Sequence, residues 1–512
     1  MMTEDQTPVI DLLMAPATHG GARVERIDTH TAVLFLAGDR AFKLKRAVLF
    51  DYFDGSTPDR RRILCEAEVV LNRRTAPTIY RGVMAVTRGA DGRLTLGGDG
   101  AAVDWLVEMN RFDQDGLFDR LAESGRLDLE LMPPLAAAIA DFHRQADRRP
   151  DHGGAAGLLW VIEGNRRGFA EAGCLDPVAA RRVTDLALAA LDRHAAALDR
   201  RRETGFVRQC HGDLHLRNIV RLDGQPTLFD AVEFNDRIAC TDVLYDLAFL
   251  LMDLWRRRLP RHATAVWSRY LLETGDLDDL GLLPLFLSCR AAVRAKTSAT
   301  AAEFQQEPAR RDALQALARE YLAMAERLLQ RTRPCLLAVG GLSGSGKSTL
   351  ALTLAASIGA APGAVVLRSD EVRKQFLDTP LGEPLGSEGY APAMSTRVYA
   401  ILAERAGRVI RGGHSAIADA VYANTTERDA IEGVAAAAGV PFAGLWLDAP
   451  APALMDRVEA RRFDPSDADA EVVRRQLARS PGPIAWHRID ASGTPDDVRE
   501  SAAACLRECL SA

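Results

Sequence analysis

The sequence has no CxxC pair. Its eight cysteines, Cys65, Cys174, Cys210, Cys240, Cys289, Cys335, Cys505 and Cys509, are scattered over 512 residues. Cys505 and Cys509 are four apart, but no histidine cluster lies near them. The pattern therefore speaks against a zinc ribbon and for reduced thiols in a cytosolic protein. No long apolar run is present. The longest, around Tyr245 to Trp255, is interrupted by Asp246 and Asp253, which excludes a membrane-spanning helix there. The N-terminal stretch Met1 to Leu13 carries two acids, Glu4 and Asp5, and no basic residue before its apolar part, unlike a signal peptide. Positive charge is not in excess either: 64 Lys and Arg stand against 70 Asp and Glu, net −6. No global basic field gathers nucleic acid or anionic membrane. These absences lead us to expect a soluble, cytoplasmic protein with no membrane partner.

What is present is ordinary globular material, 47% hydrophobic and 26% charged, in a chain long enough for about two to four domains. Residues 23 to 50 alternate as strands, with Val33, Phe35, Phe42 and Leu44 flanking a turn at Gly38-Asp39. A helix is expected over 57 to 74, entered through Thr57-Pro58. Apolar alternation returns at 79 to 86 and 103 to 109. The pattern is helical from about 115 to 205, mixed from 206 to 234, and helical again from about 241 to 330. A change of pattern follows Arg333-Pro334. Short apolar runs at 335–339, 364–367, 414–418 and 442–447 then alternate with helical segments, as in a parallel βαβ sheet. We therefore expect domains at 1–330 and 333–512.

The sharpest motif lies just past that boundary. Gly341-Leu342-Ser343-Gly344-Ser345-Gly346-Lys347-Ser348, followed by Thr349, fits G-x-x-x-x-G-K-[ST] between a strand and a helix. Its glycines let consecutive N–H groups turn inward around phosphate oxygens, and the helix N-terminus adds its dipole. Lys347 reaches β- and γ-phosphates in this motif, and Ser348 ligates Mg²⁺. Three later strands end on Asp370, Asp419 and Asp448, at the sheet edge where such folds bind ligands. Asp419 suits the Mg²⁺ site and Asp370 an acceptor-activating base, with Arg373 one turn along. Asp448 reads more simply as a cap. Arg457, Arg461 and Arg462 precede Phe463-Asp464-Pro465 and can form a basic helix end that closes over phosphates.

The N-terminal half carries a second constellation. His211-Gly212-Asp213-Leu214-His215-Leu216-Arg217-Asn218 is followed by Leu228-Phe229-Asp230. An aspartate, an asparagine five residues on, and an aspartate on the next hairpin supply a base and two Mg²⁺ ligands for phosphoryl transfer. The spacing is that of H-R-D-x-x-x-x-N, with Gly212 in place of arginine. Upstream, Lys43 and Lys45 share one face of a strand; either can pair phosphates, held by Glu68 or Glu66. No G-x-G-x-x-G precedes them; the turn there is Asp28-Thr29-His30-Thr31.

Residues 20 to 330 resemble the aminoglycoside phosphotransferase-like branch of the kinase superfamily, through HGDLHLRN, FDAVEFND at 229 to 236, and DVLYDLA at 242 to 248. The resemblance implies a bilobal α+β kinase fold, Asp213 as base, Asn218 and Asp230 on Mg²⁺, a loop-supporting Asp246, and Trp105 to Met109 as an adenine-receiving hinge. Residues 333 to 512 resemble small P-loop kinases such as polynucleotide, gluconate and chloramphenicol kinases, through GLSGSGKST, LRSDEVRK, Asp419 and RRFDPSDA. That implies a nucleoside-triphosphatase-type parallel α/β domain, with Asp370 activating a hydroxyl and Arg461 and Arg462 in a lid. The two-part order resembles a family of bacterial fusion proteins described as predicted kinases. We expect a bifunctional ATP- and Mg²⁺-dependent phosphotransferase acting on a small hydroxylated acceptor. Alternatives are a 5′-hydroxyl polynucleotide end kinase acting on a short end, and a nucleotide-sensing regulator in which one domain gates the other.

Overall fold

The structure is a computed structural model that describes residues 3–50, 52–460 and 466–510. The chain forms two compact units, one of Met1–Arg167 with Leu188–Asp253 and one of Gly168–Ala187 with Leu254–Ala512.

The first unit opens on a six-stranded antiparallel sheet. Its strands are β1 (Val24–Asp28), β2 (Ala32–Ala37), β3 (Arg40–Lys45), β6 (Tyr80–Arg88), β7 (Leu94–Leu96) and β8 (Ala101–Asn110), in the order β1-β2-β3-β8-β6-β7. The Gly38-Asp39 turn falls between β2 and β3 as expected, with Gly38 at φ 59°. A short hairpin, β4 (Leu49–Phe50) and β5 (Phe53–Asp54), follows the lysine strand. The helix Pro58–Asn72 starts where the Thr57 hydroxyl accepts the Arg60 N–H and Pro58 takes the first turn. It buries Cys65 and Val69 against Val107 and Met109 of β8 and Ile79 and Tyr80. The other sheet face packs Val33, Phe35 and Leu106 on Val9 and Leu13 of the helix Thr7–Met14. Helices then lead to β9 (Val207–Gln209), the hairpin β10 (Ile219–Leu222) and β11 (Gln225–Leu228), and β12 (Cys240–Asp242), which pairs with β9.

The second unit is built on a five-stranded parallel sheet of β13 (Leu336–Gly341), β14 (Val365–Arg368), β15 (Ala416–Asp419), β16 (Phe442–Asp448) and β17 (His487–Asp490). Its order, β14-β15-β13-β16-β17, puts β13 at the centre. Leu337, Val339, Val366, Ile417, Leu445 and Ile489 fill one core with the helices Lys347–Ala355 and Pro495–Leu510. The helices before Pro334 belong to this unit as well. Thr264 of the helix Pro260–Thr274 donates to the Pro362 carbonyl at 2.8 Å, and Ser268 accepts the Val366 N–H at 3.0 Å. Trp267 meets His414 edge-on, 5.7 Å between ring centres. The change of sequence pattern at Pro334 is therefore not where the packing changes. Among the described residues no helix is long and apolar enough to cross a membrane.

Candidate active sites

In the first unit, β3 alternation sends Lys43 and Lys45 to one face. Lys43 Nζ lies 2.8 Å from Glu68 Oε1 and 2.5 Å from Asp230 Oδ1. Lys45 Nζ contacts Glu68 and Glu233. Glu66 instead faces Arg62 on the same helix, at 3.5 Å. Burial alone would raise the Glu68 carboxyl, but Lys43 and Lys45 outweigh it and hold it at about 2. The Lys43 ammonium is desolvated too, yet Asp230 and Glu68 lift it above the ordinary lysine range.

The loop between β9 and β10 places the remaining groups. Asp246 accepts the N–H of His211 at 3.1 Å and of Gly212 at 2.8 Å, and also meets His143 at 3.1 Å. It thereby holds the backbone on which Asp213 stands. Gly212 has φ 81°, and a Cβ there would sit 3.1 Å from Val232 Cβ and 3.3 Å from Ala239 Cα. That crowding explains glycine where protein kinases carry arginine. Asn218 Nδ2 donates to the Asp213 carbonyl and carboxylate, at 2.9 and 3.1 Å. Its amide oxygen, with the Asp230 carboxylate, is then an oxygen pair of the kind hard cations take. The Asp230 N–H donates to Tyr80 Oη and the Ala231 N–H to Asn72 Oδ1, at 3.1 and 2.8 Å, pinning this turn to the β6 side of the sheet. Asp213 and Asp230 keep 42% and 43% of their side chains exposed, so both carboxylates are open to solvent.

In the second unit, β13 runs into a loop with Gly341, Gly344 and Gly346 at φ 134°, 84° and 92°. A Cβ on Gly344 would lie 2.3 Å from the Leu454 carbonyl, so only glycine fits. Gly346 starts the helix Lys347–Ala355. Lys347 Nζ curls back to the Leu342 carbonyl at 2.9 Å, and Ser348 Oγ donates to Asp419 Oδ2 at 2.5 Å. Ser345 Oγ is buried within the loop with no hydrogen-bond partner. An orphan hydroxyl in a glycine loop at a helix N-terminus fits an oxyanion such as phosphate. Burial raises the Asp419 carboxyl, against Arg368 and Lys347, which lower it, and Asp370 adds to the rise. Ser348, Asp419 and Asp370 thus share one neighbourhood and can present oxygen to a divalent cation. Thr349 is exposed on the helix surface.

Asp370 stands in the first turn of the helix Ser369–Phe376. Arg373 is committed to the Gly389 carbonyl at 2.7 Å and lies over the Tyr390 ring. Asp448 accepts from Trp446 Nε1 and Arg488, at 2.9 and 3.0 Å, a structural use. Arg457 likewise donates to the Ala491 carbonyl. Arg461 and Arg462 lie outside the described residues.

Three further residues hold these sites in place. Gln476 holds Ser343 of the loop through two bonds, accepting its N–H at 2.8 Å and donating to its Oγ at 3.1 Å. Asp467 ties Lys374, the Leu385 N–H and Tyr390 Oη together, at 2.9, 2.9 and 2.8 Å. Glu233 sits inside FDAVEFND, where its alternation with Phe234 hides a buried acid.

Comparison with known proteins matches two stretches of the chain. Residues 100–283 match the phosphotransferase enzyme family and residues 336–483 an AAA domain family. A gluconokinase from Sinorhizobium meliloti 1021 aligns over 36% of this chain and 96% of its own, at 20% identity and TM-score 0.26. Aminoglycoside phosphotransferase APH(4)-Ia aligns over 63% of this chain and 99% of its own, at 12% identity and TM-score 0.39. Uncharacterized protein Rv2004c of Mycobacterium tuberculosis H37Rv and uncharacterized protein Mb2027c of Mycobacterium bovis are each 30% identical over 479 residues, 91% of this chain and 92% of theirs. The chain belongs to the family of these mycobacterial proteins, a fusion of an aminoglycoside phosphotransferase-like kinase region with a P-loop kinase region.

Proposed function

We propose that the protein is a bifunctional, cytoplasmic, Mg²⁺-dependent kinase that moves the γ-phosphoryl of ATP to hydroxyls of small molecules. The observation that carries this reading is that each unit brings a lysine and carboxylates close together. The sets are Lys43, Glu68, Asp213, Asn218 and Asp230 in one unit and Lys347, Ser348, Asp370 and Asp419 in the other.

The Mg²⁺ ion would neutralise phosphate charge at Asn218 and Asp230, and at Ser348 and Asp419. The residues do the rest. Asp213, held by the loop that Asp246 supports, accepts the proton of the acceptor hydroxyl. Lys43, kept in place by Glu68, faces the phosphates. In the second unit the inward N–H groups of the glycine loop and Lys347 cradle the β- and γ-phosphates, and Asp370 takes the acceptor proton.

The test is phosphoryl transfer from Mg·ATP by the full chain, across sugars, aminoglycosides, nucleosides and 5′-hydroxyl oligonucleotides, with Lys347→Ala and Asp213→Asn as single variants. Each substitution should remove transfer to one acceptor class by about 10³-fold or more and spare the other. If transfer to every acceptor survives both substitutions, these residues do not do the chemistry. Preference for the oligonucleotide, falling steeply with salt, would mark a nucleic-acid end as the acceptor.

A further inference from the structure

The two ammonium groups of β3 are used differently. Lys43 bridges Glu68 Oε1 and Asp230 Oδ1 with 12% of its side chain exposed, at the cleft. Lys45 bridges Glu68 Oε2 and Glu233 Oε1, and the three side chains are 3%, 0% and 3% exposed. Glu68 therefore gives one oxygen to each lysine. Each lysine takes its second carboxylate from the same short segment, Asp230 to Glu233. The Lys45 backbone is itself fixed, because Gln6 donates to its carbonyl at 2.9 Å.

A sealed ion pair of this kind is not explained by stability. Desolvating it costs as much as its attraction returns, and an apolar pair of similar size does as well. Its geometry does explain a need of the cleft. When a cation claims Asp230, Lys43 loses one of its two carboxylates and is drawn toward phosphate. A Glu68 held by Lys43 alone would be free to follow it. A second ammonium on the other Glu68 oxygen, anchored by a second carboxylate, prevents that.

We propose that Lys45 and Glu233 are a positioning pair that clamps Glu68 through its second oxygen, so that Lys43 is the lysine presented to phosphate. The proposal rests on the phosphotransferase reading of this site. It assigns Lys45 no contact with nucleotide, and it gives Glu233 a role in phosphoryl transfer although it touches no substrate.

The experiment uses the full chain carrying Lys347→Ala, so that nucleotide turnover is read at the N-terminal site. Mg·ATP hydrolysis and Mg·ADP binding are measured for Glu233→Ala, Lys45→Met and the double variant Lys45→Met/Glu233→Leu. Each single variant should lower kcat about tenfold or more while Mg·ADP affinity stays within about threefold. The double variant, which buries no unpaired charge, should unfold near the parent temperature yet keep the low kcat. Recovery of kcat together with stability in the double variant would reduce the pair to packing and overturn the proposal. So would a parental kcat in the single variants, or a loss confined to Mg·ADP affinity. A parent that neither binds Mg·ADP nor turns over Mg·ATP would remove the phosphotransferase reading itself, and the proposal with it.

Discussion

At the scale of single residues, the catalytic loop depends on a position that has no side chain. Gly212 is both at positive φ and pressed against Val232 and Ala239, and its N–H is held by Asp246. Gly212→Ala should cost about 1–3 kcal/mol through backbone strain and contact. It should also displace Asp213 enough to lower N-terminal turnover by about 10²-fold, measured as kcat with Mg·ATP and acceptor. Fixed spacing singled out Asp213, Asn218, Asp230, Lys347 and Ser348 in the sequence; in the fold Asn218 donates to Asp213, Asp230 meets Lys43 and Ser348 meets Asp419. The choices between Lys43 and Lys45 and between Glu66 and Glu68 were not legible. Two lysines at strand period two share a face, and only tertiary contact shows that Glu68 reaches both of them while Glu66 turns to Arg62. Gln476 went unread, and Asp467 inside RRFDPSDA was given no role, because their partners Ser343 and Lys374 lie 133 and 93 residues away.

At the scale of elements, strands and helices with clear periodicity fall close to their expected bounds, β13 to β16 and the helix Pro58–Asn72 among them. The strands β7 and β17 went unread, being short and little buried, with no apolar run to mark them. Periodicity also could not say which body a helix packs on. The helix Pro260–Thr274 buries Trp267 fully against the second unit. Trp267→Ala should therefore destabilise that unit by about 3–5 kcal/mol. The predicted signature is an earlier urea midpoint for loss of Mg·ADP protection at the P-loop, read by hydrogen exchange over 336–355. An unchanged midpoint would mean that the helix lends the sheet nothing. The same helix lines a cavity of about 240 Å³ with Gln375, Asp378 and Thr379, next to the segment that follows Asp370.

At the scale of the whole molecule, acid should weaken the second unit as pH falls from about 6.5 toward 4. Burial lowers His414 to about 4, against the hydrogen bond to the Gly363 carbonyl, which raises it. The unfolded chain takes up this proton near pH 6.5, the folded chain only near 4. Stability contributed by neutral His414 is thus complete above about pH 6.5 and falls as pH drops toward 4, by a total of about 3 kcal/mol. Urea unfolding of the full chain at pH 5 and pH 7 measures it, and His414→Gln should flatten the difference. A wild-type unit equally stable at both values would contradict the burial of a neutral imidazole.

The packing of the helices before Pro334 on the sheet after it bears on how such chains are inherited and engineered. A gene segment copied from Pro334 onward would carry the glycine loop and its acids, but the Val366 N–H, the Pro362 carbonyl and the His414 ring would lose their partners Ser268, Thr264 and Trp267. A viable transplant of the P-loop half has to begin upstream of Pro260, inside what the family boundary assigns to its neighbour. The two kinase halves are thus separable as sequence families but not as units of exchange, and substitutions at Trp267 and His414 should accumulate together rather than independently.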